Sequence, residues 1–215
     1  DAFRYMQQAR QIGKVVVSFE DARVDAQPQF AQRHVAQFDP AGSYLLTGGV
    51  GGFGLETARW LASHGAGQLV LVSRRGAETP GAEVVRQELE ALGAGVRIVA
   101  CDVADRAAVA QMLAGLADLP PLKGIFHAAM VIDDALLGNL DAQRVARVLE
   151  PKIKGAWHLH ELTRDCPLEH FVLYSSITTS IGNPGQASYV AANTWLEALA
   201  VQRRRSGLPA TCVGW

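Results

Sequence analysis

Six short apolar runs punctuate the chain, at residues 43–47, 68–73, 96–101, 124–127, 170–175 and 210–213. Runs this short that lack polar alternation read as strands buried on both faces. Between them, apolar residues recur at spacings of three and four over residues 55–64, 83–92, 107–116, 144–162 and 189–204. That is the pattern of helices with one buried face. Strand and helix alternate, and a crossover through a helix makes neighbouring strands parallel. The expected fold is therefore α/β, a doubly wound parallel sheet covered on both sides. Ahead of it, residues 1–19 read as a separate short helix and strand. Residues 20–42 carry prolines, glutamines and charges without a sustained period and read as a linker, leaving residues 43–215 as the domain.

The stretch YLLTGGVGGFGLETARWL, residues 44–61, places five glycines between the first strand and the first helix. Gly49, Gly51 and Gly54 satisfy GxGxxG, and Thr47-Gly48 with Gly52 and Gly54 satisfy TGxxxGxG. Such a turn lets the backbone approach a pyrophosphate, while the amides opening the helix supply unpaired donors at its positive end. This is a Rossmann-type dinucleotide loop, and its position between strand and helix is what gives the motif weight. A carboxylate about 20 residues further on would take the ribose hydroxyls of NAD. That place holds Ser73-Arg74-Arg75, and a guanidinium beside a hydroxyl suits a 2′-phosphate, so the expected coenzyme is NADPH. Asp102, in CDV after the third strand, reads equally as a contact for the adenine edge or as a cap on the next helix.

Composition narrows the field by exclusion. The chain has 215 residues, is 49% hydrophobic and carries a formal net charge of -1. It therefore has no basic field for nucleic acid, and it lacks the roughly 20-residue apolar run a membrane span needs. Cys101, Cys166 and Cys212 are odd in number and far apart, which supports neither a disulfide framework nor a zinc site and fits a reducing, cytoplasmic setting. His158 and His160 are two apart on a helix and make no metal pair. The start lacks a secretory pattern and a methionine, and the end at Gly214-Trp215 is abrupt, so the sequence reads as a piece of a larger polypeptide.

Ser175-Ser176 ends the fifth strand, and Tyr189 follows near the start of a helix that also carries Asn193 on the same face. A phenol, ordinarily near pKa 10, gives up its proton at neutral pH only where a cation stabilises the phenolate. In YVAAN the position four after the tyrosine is Asn, so the cation must come from elsewhere. Lys152 in EPKIKGAWHL is the nearest earlier candidate, with Lys154 as its rival.

Taken together, TGGVGGFG, VLVSRRG, CDV, GIFHAA, EPKIKGAWHL, LYSS, GNPGQASYVAAN and VGW resemble the ketoreductase domain of type I polyketide synthases and animal-type fatty acid synthases. That domain belongs to the short-chain dehydrogenase/reductase (SDR) superfamily, and the resemblance runs from about Ser43 to Trp215. In that family the lysine and asparagine have exchanged places relative to stand-alone reductases with YxxxK. The resemblance implies a catalytic tetrad of Lys152, Ser176, Tyr189 and Asn193. Ser176 and Tyr189 would bind and protonate the ketone oxygen. Lys152 would make the phenol a better donor and hold the nicotinamide ribose, and Asn193 would support a proton relay. It also implies an NADPH site formed by Thr47, Gly49, Val50, Gly51, Gly52, Phe53, Gly54, Ser73, Arg74, Asp102, Val103, Ala128, Ala129, Lys152 and Tyr189. His127 would line the cofactor rather than act as acid or base, and no metal is implied.

By the same resemblance the substrate is a β-ketoacyl thioester on an acyl carrier protein, and the partners are other domains of one synthase. Ile132-Asp133-Asp134 resembles the LDD motif of B-type domains, and Ile181 stands where A-type domains place tryptophan, which implies a (3R)-alcohol. Asp134, Pro184, Gly185 and Gln186 would shape the substrate groove. Residues 1–19 resemble the tail of a preceding enoylreductase domain. The family's last strand and substrate-covering helices have no counterpart up to Trp215, so the fold is expected to be truncated there. A stand-alone dehydrogenase acting on a free alcohol, or a catalytically silent scaffold module, are the rival readings. Asn193 speaks against the first and the complete tetrad against the second.

Overall fold

The computed structural model describes residues 37–215, so the segment read as a leader and most of the linker lie outside the described residues. Six strands form one parallel sheet: β1 (Ser43–Thr47), β2 (Gln68–Ser73), β3 (Gly95–Ala100), β4 (Leu122–His127), β5 (His170–Ser175) and β6 (Thr211–Gly214). Their order across the sheet is β3-β2-β1-β4-β5-β6. The helices are α1 (Gly52–Ser63), α2 (Ala82–Ala91), α3 (Arg106–Ala114), α4 (Ala142–Leu162), α5 (Thr178–Ile181) and α6 (Ala187–Arg205).

Adjacent residues of a strand point to opposite faces, which is why the apolar runs show no alternation: both faces are covered. In β1, Leu45 joins one core with Ile125, Leu159, Phe171 and Leu196, under α4 and α6. Its neighbours Tyr44 and Leu46 join the other, with Leu61, Leu71 and Leu89, under α1 and α2. The sequence placed the strands and the five long helices within a few residues of these bounds. The exception in kind is the start of α1, which begins three residues before Leu55 because its first turn is glycine and shows no periodicity.

Phe38 corrects the linker boundary. It is buried, edge-on to Tyr44 and Trp60 with ring centroids 5.3 and 5.0 Å away, and its N–H donates to the His64 carbonyl. The packed domain therefore starts before Ser43. At the other side of the sheet, Arg203 is buried on α6 with its guanidinium 3.7 Å from the Phe171 ring centroid. It donates to His160 Nδ1 of α4 at 2.8 Å and to the Pro209 carbonyl at 3.0 Å. This contact holds α4 and α6 side by side, and each of these helices carries part of the site below.

Candidate active site

The strand order reverses direction between β1 and β4, and in open parallel sheets that crevice, at the carboxyl ends of the strands, is where ligands bind. A cleft of about 770 Å³ opens there. The glycine turn, Ser73 and Arg74 form one wall, and Lys152, Ser175, Ser176 and Tyr189 form the other. The loop fits a bound pyrophosphate. A side chain at Gly51 or Gly52 would meet nothing within 4 Å, so these positions leave the backbone open to the cleft. A Cβ at Gly54 would come 2.2 Å from the Gly48 carbonyl oxygen, so only glycine lets α1 pack this close to the strand end. Among the described residues no side chain caps the first turn of α1, and no acid lies in that turn, which leaves its amides and its positive dipole end for an anion.

Thr47 and Gly49 stand one layer behind the cleft, contrary to the expected direct contact. Thr47 is fully buried with its hydroxyl on His127, and Gly49 packs against Leu46 and Leu71. Val50, Phe53 and Ala128 line the cleft. Asp102, Val103 and Ala129 line an adjoining pocket of about 310 Å³ that shares Gly48, Ser73 and Arg74 with it. Asp102 is not the cap of α3: that role belongs to Asp105, whose Oδ1 accepts from the Ala107 and Ala108 amides. Asp102 instead closes its own turn through the Ala104 amide at 2.9 Å. Arg74 is exposed in the cleft wall and, among the described residues, pairs with no carboxylate. The Ser73 hydroxyl is engaged by Thr79 Oγ1 at 2.7 Å.

The two candidate lysines of α4 stand in different surroundings. Lys154 faces out and pairs with Glu150 at 2.7 Å. Lys152 is buried, its Nζ donates to the Tyr174 carbonyl at 2.7 Å, and Nζ lies 5.4 Å from the centroid of the Tyr189 ring. Burial, with no carboxylate among its charge partners, pulls the Lys152 ammonium down to about 8. Asn193 is fully buried one turn after Tyr189, its Nδ2 donating to the Tyr189 carbonyl at 2.9 Å while Oδ1 has no partner among the described residues. Ser176 is buried at the end of β5, and its Oγ accepts from the Thr178 hydroxyl at 3.0 Å. Residues from α4, β5 and α6 thus converge on one wall of the cleft.

His127, at the end of β4, is buried and held to about 4 by desolvation and by the nearby Lys152 charge. Its folded pKa lies below the free value near 6.5, so below that pH the unfolded chain binds the extra proton and stability falls. Between pH 7 and 5 this one group is expected to remove about 2 kcal/mol, roughly 4–8 °C of melting temperature at this chain length. Thermal melts of the wild type and His127→Gln across that range check it, and the variant should show the smaller drop.

At the rim, two loops that the sequence assigned to substrate are tied together. Asp134 Oδ2 accepts from Gln186 Nε2 at 2.9 Å, and the Ala135 amide donates to the Gly185 carbonyl at 2.8 Å. Pro184 is exposed beside them. Asp133 accepts from Arg144, and from Arg147 at 2.9 Å, which anchors this loop to α4. Sequence reasoning missed those two arginines, the Tyr174 carbonyl, and Trp215, which lines the cleft and stacks on Phe53 at 4.8 Å. Main-chain acceptors carry no residue signature. His158 and His160 face Val103 and Arg203 respectively, and among the described residues no cluster of three metal-binding side chains forms. No helix among the described residues is long and apolar enough to cross a membrane.

Residues 42–215 match the family described as KR domain. The chain is 46% identical over 216 residues to the spectinabilin polyketide synthase system protein NorB of Streptomyces orinoci, which covers all of this chain and 9% of that protein. It is also 46% identical over 215 residues to mycoketide-CoA synthase of Mycobacterium tuberculosis, covering all of this chain and 5% of that protein. The chain therefore spans less than a tenth of these relatives. Among solved structures, an A-type ketoreductase from a modular polyketide synthase is similar at 50% identity and TM-score 0.78, over 81% of this chain and 37% of that one. The first ketoreductase of the tylosin polyketide synthase is similar at 46% identity and TM-score 0.77, over 84% and 39%.

Proposed function

This chain belongs to the KR domain family, the ketoreductases of polyketide synthases that reduce β-keto groups, and on that premise we propose that it is an NADPH-dependent reductase of B type. Its substrate is a β-ketoacyl thioester carried on an acyl carrier protein, its product the (3R)-β-hydroxyacyl thioester, and its partners are other domains of one synthase. The observation that carries this reading is the single cleft in which the glycine turn faces Lys152, Ser176 and Tyr189.

When bound, the reduced nicotinamide supplies the hydride. The chain's own residues do the rest. The hydroxyls of Ser176 and Tyr189 donate to the ketone oxygen, where negative charge grows, and Tyr189 passes its proton to that oxygen. The Lys152 ammonium, charged below its pKa of about 8, stabilises the phenolate that remains. Among the described residues it is held by one hydrogen bond, to the Tyr174 carbonyl, which leaves its other two N–H groups for the phenol and the ribose. Asn193 fixes the first turn of its helix through the Tyr189 carbonyl, and its buried, unpartnered Oδ1 is the acceptor by which it supports a proton relay.

B-type stereochemistry rests on Ile132-Asp133-Asp134 and on Ile181, not on overall likeness, since the similar structures include some named A-type. Following NADPH oxidation with a short β-ketoacyl thioester, with chiral analysis of the alcohol, tests the reading. A (3R)-alcohol is expected; a (3S)-alcohol would remove the B-type assignment, and no NADPH-dependent alcohol would remove the activity. Arg74→Ala is expected to raise KM for NADPH about 10- to 100-fold, the worth of one charge-assisted contact, and to leave KM for NADH nearly unchanged. Parallel kinetics with the two coenzymes check this.

A further inference from the structure

We propose that His127 is a positioning residue, which sets the backbone of Lys152 rather than touching substrate or coenzyme; the inference rests on the ketoreductase reading above. His127 ends β4 and is 1% exposed. Its Nε2 lies 3.1 Å from the Lys152 carbonyl oxygen. A carbonyl only accepts, so Nε2 carries the hydrogen, and Nδ1 of the neutral ring is left as an acceptor. The Thr47 hydroxyl meets Nδ1 at 2.7 Å and donates to it, while Thr47 Oγ1 itself accepts from the Ala129 amide at 3.3 Å. One tautomer satisfies every group. A directed chain runs from the Ala129 amide through Thr47 and the imidazole to the main chain of Lys152.

Two neighbouring residues make that contact consequential. Pro151, just before the lysine and inside α4, has no N–H to give, so the helix ladder is interrupted one residue before the catalytic side chain. Gly155 lets α4 approach: a Cβ there would stand 2.8 Å from His127 Cε1 and 2.9 Å from Val103 Cγ2. The helix is therefore locally weakened, drawn close at Gly155, and pinned by an imidazole from the sheet. Among the described residues the Lys152 side chain makes one hydrogen bond of its own, to the Tyr174 carbonyl at 2.7 Å, so where its Nζ stands against Tyr189 follows from where its main chain is held. A misplacement of about 1 Å in such a site costs on the order of 100-fold in rate. Thr47 belongs to the TG of the glycine turn, so the same chain of bonds ties the lysine's register to the coenzyme loop.

Two variants separate this role from packing. His127→Asn keeps a polar atom near Nδ1 for Thr47 but is too short for the Lys152 carbonyl. His127→Gln places an N–H donor near Nε2. In the purified protein, His127→Asn is expected to lower kcat about 10- to 100-fold with little change in KM for the thioester, and to shift the alkaline limb of the pH profile. His127→Gln should recover at least tenfold of that loss. Equal kcat and equal pH limbs in the two variants, once corrected for folded fraction, would overturn the proposal. If either variant fails to fold, the ¹⁵N shifts of His127 in the wild type decide: a neutral Nε2–H tautomer from pH 5 to 8 supports it and an Nδ1–H tautomer overturns it. A wild type that reduces no ketone defeats the functional reading instead, and leaves the tautomer measurement standing as a separate result.

Discussion

Replacing Tyr189 with phenylalanine is expected to lower kcat by about 10²- to 10⁴-fold, the range for loss of a positioned proton donor, while coenzyme binding stays largely intact. The substitution removes one oxygen and leaves the ring, which is half-buried at the start of α6 and lies under the Lys152 ammonium. Asn193 bonds the main chain of Tyr189 and not its side chain, so the first turn of the helix keeps its support. The glycine turn and Arg74 lie on the opposite wall, which is why binding and turnover should separate. Stopped-flow NADPH oxidation, set beside fluorescence titration of the coenzyme, measures both. Turnover like that of the wild type would remove Tyr189 as the proton donor.

The second large effect is expected from Lys152→Met, which keeps the stem of the side chain and removes the charge. An electrostatic contact of this kind in a desolvated site is worth about 10²- to 10³-fold in kcat. Unlike the tyrosine variant, this one should also weaken NADPH binding, because Lys152 lines the same cleft as the glycine turn and would lose its charge there. The fold should tolerate the change. A buried ammonium without a carboxylate partner is a desolvation cost, so a similarly shaped apolar side chain is expected to leave the melting temperature unchanged or higher. Loss of activity together with unaltered or raised stability is the signature; a parallel loss of both would assign Lys152 to structure.

Much of this arrangement is legible before any coordinates. The buried strands announce themselves because both faces of each are covered, as Leu45 and Leu46 show by pointing into different cores. The glycine turn is readable because close approach admits no other residue at Gly54. What sequence could not supply is long-range and main-chain. Lys152, unlike Lys154, falls on the buried stripe of α4 with Val148, Ala156 and Leu159, but periodicity alone does not show that its ammonium meets the Tyr174 carbonyl and the Tyr189 ring. Thr47 satisfies the motif, yet its hydroxyl bonds to His127, a partner 80 residues away. Phe38 looks like linker because its ring partners, Tyr44 and Trp60, lie in elements that come after it. Asp105, not Asp102, caps α3, a choice between two aspartates three residues apart that only backbone geometry makes.

The pH dependence of kcat/KM for the coenzyme reads the ionisations of the free protein. It therefore reads directly whether the buried ammonium brought in by α4 is the cation of the site. The expected profile falls with rising pH through about 8, where Lys152 loses its charge. A profile that stays flat to about pH 10, the range of an ordinary lysine, or one that Lys152→Met leaves unaltered, would contradict that assignment.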